Sequence, residues 1–329
     1  MIKRVNIPKE DYDAWLDFRI NGIGASEVGT ILGLNPYKSS AELFYQKIGK
    51  IPQKIEENLA MFMGNRLESV VGDLWEYYDE DEATFIKNYN TGVKSRHYET
   101  IEGYLVNDKY PQLFFSPDGL IKNDSKLEAY SVDGEEVTFN NLKGILEIKT
   151  ISGFASKQWE GGVPPSYVVQ IMTYMLGLGV DYGEIVFFED GRKLTVIELS
   201  RNESICEQIV EKTTEFWERV VTAREDMENC DLYEPEPEGT TAYESFLNKK
   251  YSNSESKTIQ GTDEHYQWAH MHKMLLDEAK QKESESLEYS NKIKNLMKDH
   301  DTIDFGTGGK VTWKSNARGY RTFKNSIKL

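Results

Sequence analysis

Cysteine is almost absent from this chain: two residues in 329, Cys206 and Cys230. Two thiols cannot build a disulfide framework or a four-cysteine cluster, which excludes small stapled scaffolds and four-cysteine iron–sulfur centres. No run of about 18 apolar residues occurs, so no membrane-spanning helix is expected. The N-terminal "MIKRVNIPKEDYDAW" also lacks the apolar stretch of a secretory signal. Histidine is scarce as well. His265, His270 and His272 lie close in sequence, but helical spacing puts only His265 and His272 on one face, so no zinc site is expected. Basic residues are outnumbered 39 to 55, for a net charge of −16. That balance argues against a broad basic surface for coating nucleic acid, though not against an enclosed channel with a local positive lining. These absences together point to a soluble, cytoplasmic protein.

What remains is ample for a core. Hydrophobic residues make up 39% and aromatics 12%, and the length suits one large domain with an appendage, or two domains. Residues 11–20 read as a short helix. "NGIGASEVGTILGL" reads as a glycine-rich turn entering a helix with Ser26 as its N-cap. "NPYKSSAELFYQKIG" gives an Asn-Pro turn and a further helix, with Ser39 and Glu42 at capping-box spacing. In "GNRLESVVGDLWEYY", Leu67, Val70, Val71, Leu74, Trp75 and Tyr78 recur at helical spacing. Residues 83–150 read as strands: "TFIKNYN", "GYLVND", "LFFSPDGLI", "EVTFN" and "GILEIKT". A helix at "YVVQIMTYMLGLGV", a hairpin around Asp190-Gly191 and a long helix near 202–225 follow. The expected organisation is a core over 1–230, a Pro-, Glu- and Ser-rich linker or irregular excursion over 231–261, and a helix plus basic β-hairpin over 262–329.

Two strand-like runs carry charges where a buried strand wants none. In "FFSPDGLI", Asp118 follows Phe114 and Phe115; in "GILEIKT", Glu147 and Lys149 interrupt Ile145, Leu146 and Ile148. A charge against a dry core is costly unless a partner or metal compensates it. Glu147 and Lys149 are two apart and share one face of a strand. If the Asp118 segment pairs alongside, two carboxylates and an ammonium converge. Such a site can hold Mg²⁺, which takes oxygen ligands and keeps several waters, and the backbone carbonyl of Ile148 can add another ligand. Lys149, with its pKa lowered by the cation, would orient or deprotonate an attacking water, the pattern of metal-assisted phosphodiester hydrolysis. Glu68, beside the apolar stripe of its helix, reads either as a salt-bridged border residue or as a third carboxylate turned inward. Gln170 and Tyr174 are four apart on one helical face, free to bond locally, to a DNA backbone or to Lys149. Arg19 and Ser26 flank the Gly22/Gly24 turn and can face the same anion; an ordinary capped turn with a surface arginine reads the same way.

Taken in order, "RINGIGASEVGTILGLNPYKSSAELF", "GNRLESVV", "SPDG", "LEIKT" and "QIMTY" resemble the YqaJ family of phage-type recombinases. That family is similar to lambda exonuclease and lies within the PD-(D/E)xK nuclease superfamily. The resemblance covers about residues 12–225 and extends to the helix-plus-hairpin tail. It implies an α/β restriction-endonuclease-like core, a mixed sheet flanked by helices. It implies Asp118, Glu147 and Lys149 as the catalytic triad, Gln170 and Tyr174 as the Q-x-x-x-Y helix, and Glu68 as a further metal-site carboxylate. Arg19, Ser26 and Ser116 match the residues that grip a 5′-phosphate in the lambda-type enzyme; Asp108, ten residues before Asp118, is placed by that spacing to support the metal centre. The function implied is a Mg²⁺-dependent (two ions, or Mn²⁺) 5′→3′ exonuclease on linear double-stranded DNA. It would leave 3′ single strands for a single-strand annealing protein, act as a ring-shaped homotrimer, and work in the cytoplasm of a bacterial host, with a phage or prophage origin. An endonuclease or nickase on the same fold, and a non-catalytic DNA-binding accessory, are the alternatives. The insert between Asp118 and Glu147, "KNDSKLEAYSVDGEEVTFNNLK", departs from the family's pattern and is expected to form an extra β-excursion.

Overall fold

The computed structural model describes residues 1–7, 12–53, 58–123, 128–132, 136–153, 162–253, 256–316 and 319–328. They divide into two units, Met1–Asn253 and Ser254–Leu329. In chain order the first runs β1 (Ile2–Val5), α1 (Tyr12–Arg19), β2 (Ile23–Gly24), α2 (Ala25–Ile31), α3 (Ser40–Lys47), α4 (Leu59–Trp75) and α5 (Glu82–Thr91). Then come β3 (His97–Glu99), β4 (Tyr104–Asn107), β5 (Leu113–Phe115), β6 (Gly119–Lys122), β7 (Glu128–Val132), β8 (Glu136–Asn140) and β9 (Leu142–Ile151). It closes with α6 (Pro165–Leu178), β10 (Tyr182–Glu189), β11 (Lys193–Ser200), α7 (Glu203–Glu225) and α8 (Thr241–Lys250).

The strands build two sheets, ordered β2-β5-β4-β1-β8-β7 and β11-β10-β9-β6-β3. The second is mixed: β9 and β10 run parallel, with antiparallel partners on either side. Its two faces are both apolar, as a strand covered by helices requires. On one, Leu146 and Ile148 pack with Val71 and Trp75 of α4. On the other, Ile145 and Ile185 join Ile171 and Met175 of α6 in the main core. The α/β architecture expected from the sequence, a mixed sheet flanked by helices, is the one observed.

Between β5 and β6 the chain changes sheets through Ser116-Pro117-Asp118. Phe115, fully buried, anchors one end of this passage; burying such a side chain contributes roughly 1.5–3 kcal/mol. Gly119 anchors the other. A Cβ there would stand 2.5 Å from the Tyr98 ring and 3.3 Å from Leu146, so only glycine lets β6 pair tightly with β9. The 122–143 insert includes the antiparallel pair β7–β8, joined to β1 through Lys3 and Glu136. The expected excursion is therefore a hairpin that extends the first sheet.

Three local readings are corrected. "TFIKNYN" is helical, not extended: Asp81 caps α5 by accepting from the Thr84 N–H at 3.0 Å, and Gly92 ends it in a left-handed conformation at φ 69°. The caps outweigh the aromatic and β-branched content that suggested a strand. Ser26 is not an N-cap. Gly24 holds that position and Glu27 reaches back to its N–H at 2.9 Å, leaving Ser26 exposed one residue inside the helix. The stretch read as a linker or irregular excursion over 231–261 contains α8, whose Tyr243 and Phe246 are buried, with Phe246 stacked on Tyr45 of α3. Proline and glutamate at 234–238 mark a turn between helices rather than a boundary.

The second unit consists of α9 (Asp263–Met297) and a three-stranded sheet of β12 (Thr302–Asp304), β13 (Gly309–Ser315) and β14 (Arg321–Ile327). Arg321 is engaged internally: its guanidinium lies 3.7 Å from the Trp313 ring centre and donates to the Trp313 and His300 carbonyls. Lys310, Lys314, Lys324 and Lys328 are exposed; Arg318 lies outside the described residues. His265, His270 and His272 are all exposed, and His265 caps its own helix by accepting from the Thr262 N–H.

Candidate active site

The Gly119–Leu146 pairing sets the site, because it places the residue before β6 beside the residues after Leu146. Asp118 Oδ2 accepts the Ile148 N–H at 2.7 Å, at the point where β6 has ended and the edge of β9 is open. In an extended strand the N–H and C=O of one residue face the same neighbour, so the Ile148 carbonyl faces the edge that Asp118 covers. The Asp118 charge that looked costly in sequence thus finishes the free edge of a central strand.

Glu147 and Lys149 point to the α6 face. Glu147 is 1% exposed; its Oε1 accepts Lys149 Nζ at 2.5 Å and Gln170 Nε2 at 2.6 Å. Its Oε2 is buried with no hydrogen-bond partner among the described residues. Burial, together with the Asp118 charge, pushes the Glu147 carboxyl up to about 8, with Lys149 pulling the other way. Lys149 departs from expectation. Burial would lower its pKa, but Glu147 and Asp118 outweigh it and hold the group above the ordinary lysine value. The expected lowering presupposed a cation at its side; with the carboxylates alone, Lys149 is a firmly charged ammonium, lying 5.4 Å from the Tyr167 ring centre.

The α6 pair acts as a brace. Gln170 bonds Glu147 on β9 and donates to Tyr174 Oη at 3.3 Å, and Tyr174 donates to the Ser116 carbonyl at 3.0 Å. One helix face therefore ties the Glu147 strand to the turn that presents Asp118. Tyr174→Phe should remove about 1 kcal/mol of stability and slow turnover roughly tenfold through a loosened Asp118, with DNA affinity unchanged. Paired melting and single-turnover measurements check this, and an unaltered rate would remove the brace.

Glu68 is less central. It rides on α4, on the sheet face opposite Glu147, and its charge is the weakest of those acting on the Glu147 carboxyl. Gly64, one turn earlier, passes so near β9 that a Cβ would meet Thr150 Oγ1 at 3.2 Å, so the helix itself is close. Among the described residues no three His, Cys, Asp or Glu side chains stand together as a ready-made metal cluster. Asp108 does not join the site. It is exposed and paired with Lys3 at 3.2 Å.

Arg19 and Ser26 do meet: Arg19 Nη2 donates to Ser26 Oγ at 3.1 Å, and its Nε to Glu27 Oε1 at 3.2 Å, with the guanidinium 4.8 Å from the Trp15 ring centre. The turn between them needs Gly22, where a Cβ would collide with the Phe114 ring at 2.4 Å. Ser116 donates its hydroxyl to the Gly103 carbonyl at 3.3 Å. It connects to this group through Tyr174, whose charge interaction with Arg19 contributes to raising the Arg19 pKa against burial. Glu27 and Lys47, both buried, were missed. Lys47 sits three and four residues after Phe44 and Leu43, on the apolar stripe of α3, and that placement was the available signal.

Pro117-Asp118 leading into one strand and Glu147-x-Lys149 in its neighbour form the arrangement of the PD-(D/E)xK class, within a mixed α/β fold. The chain belongs to the YqaJ-like viral recombinase domain family, whose sequence profile matches residues 14–179. It is 28% identical over 291 residues to the uncharacterized protein YqaJ of Bacillus subtilis (strain 168), covering 87% of this chain and 78% of that one. Among solved structures it is similar to the alkaline exonuclease LHK-Exo of Laribacter hongkongensis, with 18% identity, 67% of this chain and 98% of that chain covered, and a TM-score of 0.47. It is also similar to a phage related exonuclease of Haemophilus somnus 129PT, with 12% identity, 63% and 98% covered, and a TM-score of 0.38. No helix among the described residues is long and apolar enough to cross a membrane.

Proposed function

We propose that this chain is a divalent-cation-dependent 5′→3′ exodeoxyribonuclease. It degrades linear double-stranded DNA and leaves 3′ single strands for an annealing protein, working as a homo-oligomer. The observation that carries the reading is the buried Glu147 Oε2, which no described residue hydrogen-bonds, in a carboxyl whose Oε1 holds Lys149 Nζ and whose neighbour Ile148 gives its N–H to Asp118. A buried carboxyl oxygen left bare costs about 1–3 kcal/mol, and a bound cation would favour the ionised form of the Glu147 carboxyl that burial and Asp118 otherwise disfavour. Both features suit a hard cation that takes oxygen ligands.

Asp118, Glu147 and the Ile148 carbonyl would hold Mg²⁺ or Mn²⁺, with Glu68 supporting a second ion. When bound, the cation supplies Lewis-acid stabilisation of the phosphoryl charge. Lys149 donates hydrogen bonds from a charged ammonium, so its part is to orient the attacking water and offset negative charge at the phosphorus. Gln170 and Tyr174 keep Glu147 and the Asp118 turn at fixed separation. Arg19, Ser26 and Ser116 hold the terminal phosphate, so that each cut starts from the same register.

An end-labelled linear duplex, digested with and without divalent ion, tests the reading. Release of 5′ label as mononucleotides, only with the ion, is expected, while covalently closed circles stay intact. Cleavage of circles would indicate the endonuclease alternative. Arg19→Ala should erase any preference for 5′-phosphorylated over 5′-hydroxyl ends, and a preserved preference would remove Arg19, Ser26 and Ser116 from end binding.

A further inference from the structure

Lys47, the last residue of α3, is 0% exposed. Its ammonium reaches two acceptors of the Arg19 group, the Arg19 carbonyl at 2.8 Å and Glu27 Oε2 at 2.8 Å. Arg224 of α7 holds the same turn, donating from Nη2 to the Ile20 and Lys47 carbonyls, each at 2.6 Å. A buried ammonium is costly unless an opposite charge and hydrogen bonds compensate it. Here both compensations come from the residues that carry Arg19.

The second acceptor bears on what Arg19 can bind. A guanidinium presents Nε and Nη2 along one edge, and a carboxylate free to do so takes both as parallel hydrogen bonds. Glu27 takes only one. Its Oε1 accepts Arg19 Nε at 3.2 Å, while its Oε2 is engaged by Lys47 and by the Gly24 N–H at 2.9 Å. Arg19 Nη2 goes instead to the Ser26 hydroxyl at 3.1 Å. Yet Oε2 is not remote from it. A Cβ on Gly24 would stand 3.6 Å from Glu27 Oε2 and 3.5 Å from Arg19 Nη2, so both atoms border one spot. Burial would raise the Glu27 carboxyl, but Arg19 and Lys47 hold it down at about 2, so it is charged and competent to close the pair. The Nη2–Ser26 contact is exposed and the Nε–Glu27 contact partly buried. The prong that Glu27 leaves alone is the one that faces solvent.

We infer that Lys47 is a positioning residue for end binding. By occupying Glu27 Oε2 it keeps that carboxylate from a two-pronged pair with Arg19, and so leaves Arg19 Nη2 and Ser26 Oγ to a terminal phosphate. The assignment rests on the Arg19 group being the end-binding pocket. A terminal phosphomonoester carries about −1.5 to −2 charges and a diester within the strand carries one. Loss of an Arg19 prong should therefore tell most on the phosphorylated end.

Fluorescence anisotropy in EDTA, where no cleavage intervenes, compares 5′-phosphorylated with 5′-hydroxyl duplexes on the full chain. Burial pulls Lys47 down to about 8, so a neutral buffer meets it charged. Lys47→Met should cut the preference for the phosphorylated end about tenfold and leave the hydroxyl end within about twofold. Adding Glu27→Gln removes the competing charge and can still cap α2. The double variant should return to within about threefold of the wild-type preference, a rescue that a merely structural counter-ion would not show. An undiminished preference in a Lys47→Met protein with a cooperative melt overturns the inference, and so does a double variant no better than Lys47→Met. If Lys47→Met does not fold, Glu27→Gln alone decides: a preference at or above wild type supports the inference and a lost one overturns it. Arg19→Ala separates the two readings. A preference that survives it removes the pocket and the inference together. A preference that Arg19→Ala erases and Lys47→Met spares removes the inference alone.

Discussion

Lys149→Ala is expected to abolish hydrolysis, by ~10³-fold or more, while the protein still binds divalent ion and DNA. The ammonium lies 2.5 Å from Glu147 Oε1 and belongs to a group of two carboxylates and one cation. Truncation removes the donor that would orient water and leaves Asp118 and Glu147 uncompensated. Their attraction for a cation then rises rather than falls. Single-turnover digestion, beside a metal-dependent melting shift, measures both halves. Full activity would exclude Lys149 from the chemistry, whereas loss of the metal response together with activity would reassign it as a structural counter-ion.

Glu147→Gln should separate stability from activity in the opposite sense. The metal-free protein buries a carboxylate with one oxygen left bare by the described residues, beside a second carboxylate. An amide removes the surplus negative charge and leaves Asp118 and Lys149 to balance one another. A gain of about 1–3 kcal/mol is expected without metal, with loss of the metal-induced melting shift and of hydrolysis. The pH dependence follows from the raised carboxyl. The folded protein holds this proton more tightly than the unfolded chain, so that contribution is fully present below about 4.5 and is lost as the pH rises through about 8. Glu147→Gln should flatten that slope. Chemical denaturation in EDTA across this range gives the measurement; a variant less stable than wild type at every pH would contradict the charge argument.

Both predictions concern residues that were visible in sequence, and the reason is physical. Asp118, Glu147 and Lys149 interrupt apolar runs, and such interruptions persist only where something repays them. Gln170 and Tyr174 were legible as a face through their spacing, but that they brace two segments was not, since the Ser116 carbonyl carries no sequence signal. Arg19 and Ser26 were matched by resemblance, while the Ser26 cap was misassigned because a glycine and a glutamate can cap a helix without any hydroxyl. Asp108 was credited on spacing alone, and spacing cannot tell that Lys3 lies across the sheet from it. The helix at 82–91 was hidden because its propensity is weak and its boundaries, Asp81 and Gly92, lie outside the apolar pattern. Lys47 escaped because it looked like a helix-terminal charge.

The β7–β8 hairpin has a practical consequence. Asp118 and Glu147 are 29 positions apart in the numbering, yet the Gly119–Leu146 contact clamps both before the chain departs toward the other sheet. Length added or removed beyond that clamp need not be transmitted to the acidic pair. The insert is therefore a natural port for grafting: an affinity tag or fluorescent reporter carried on it should ride on the protein without retuning its chemistry.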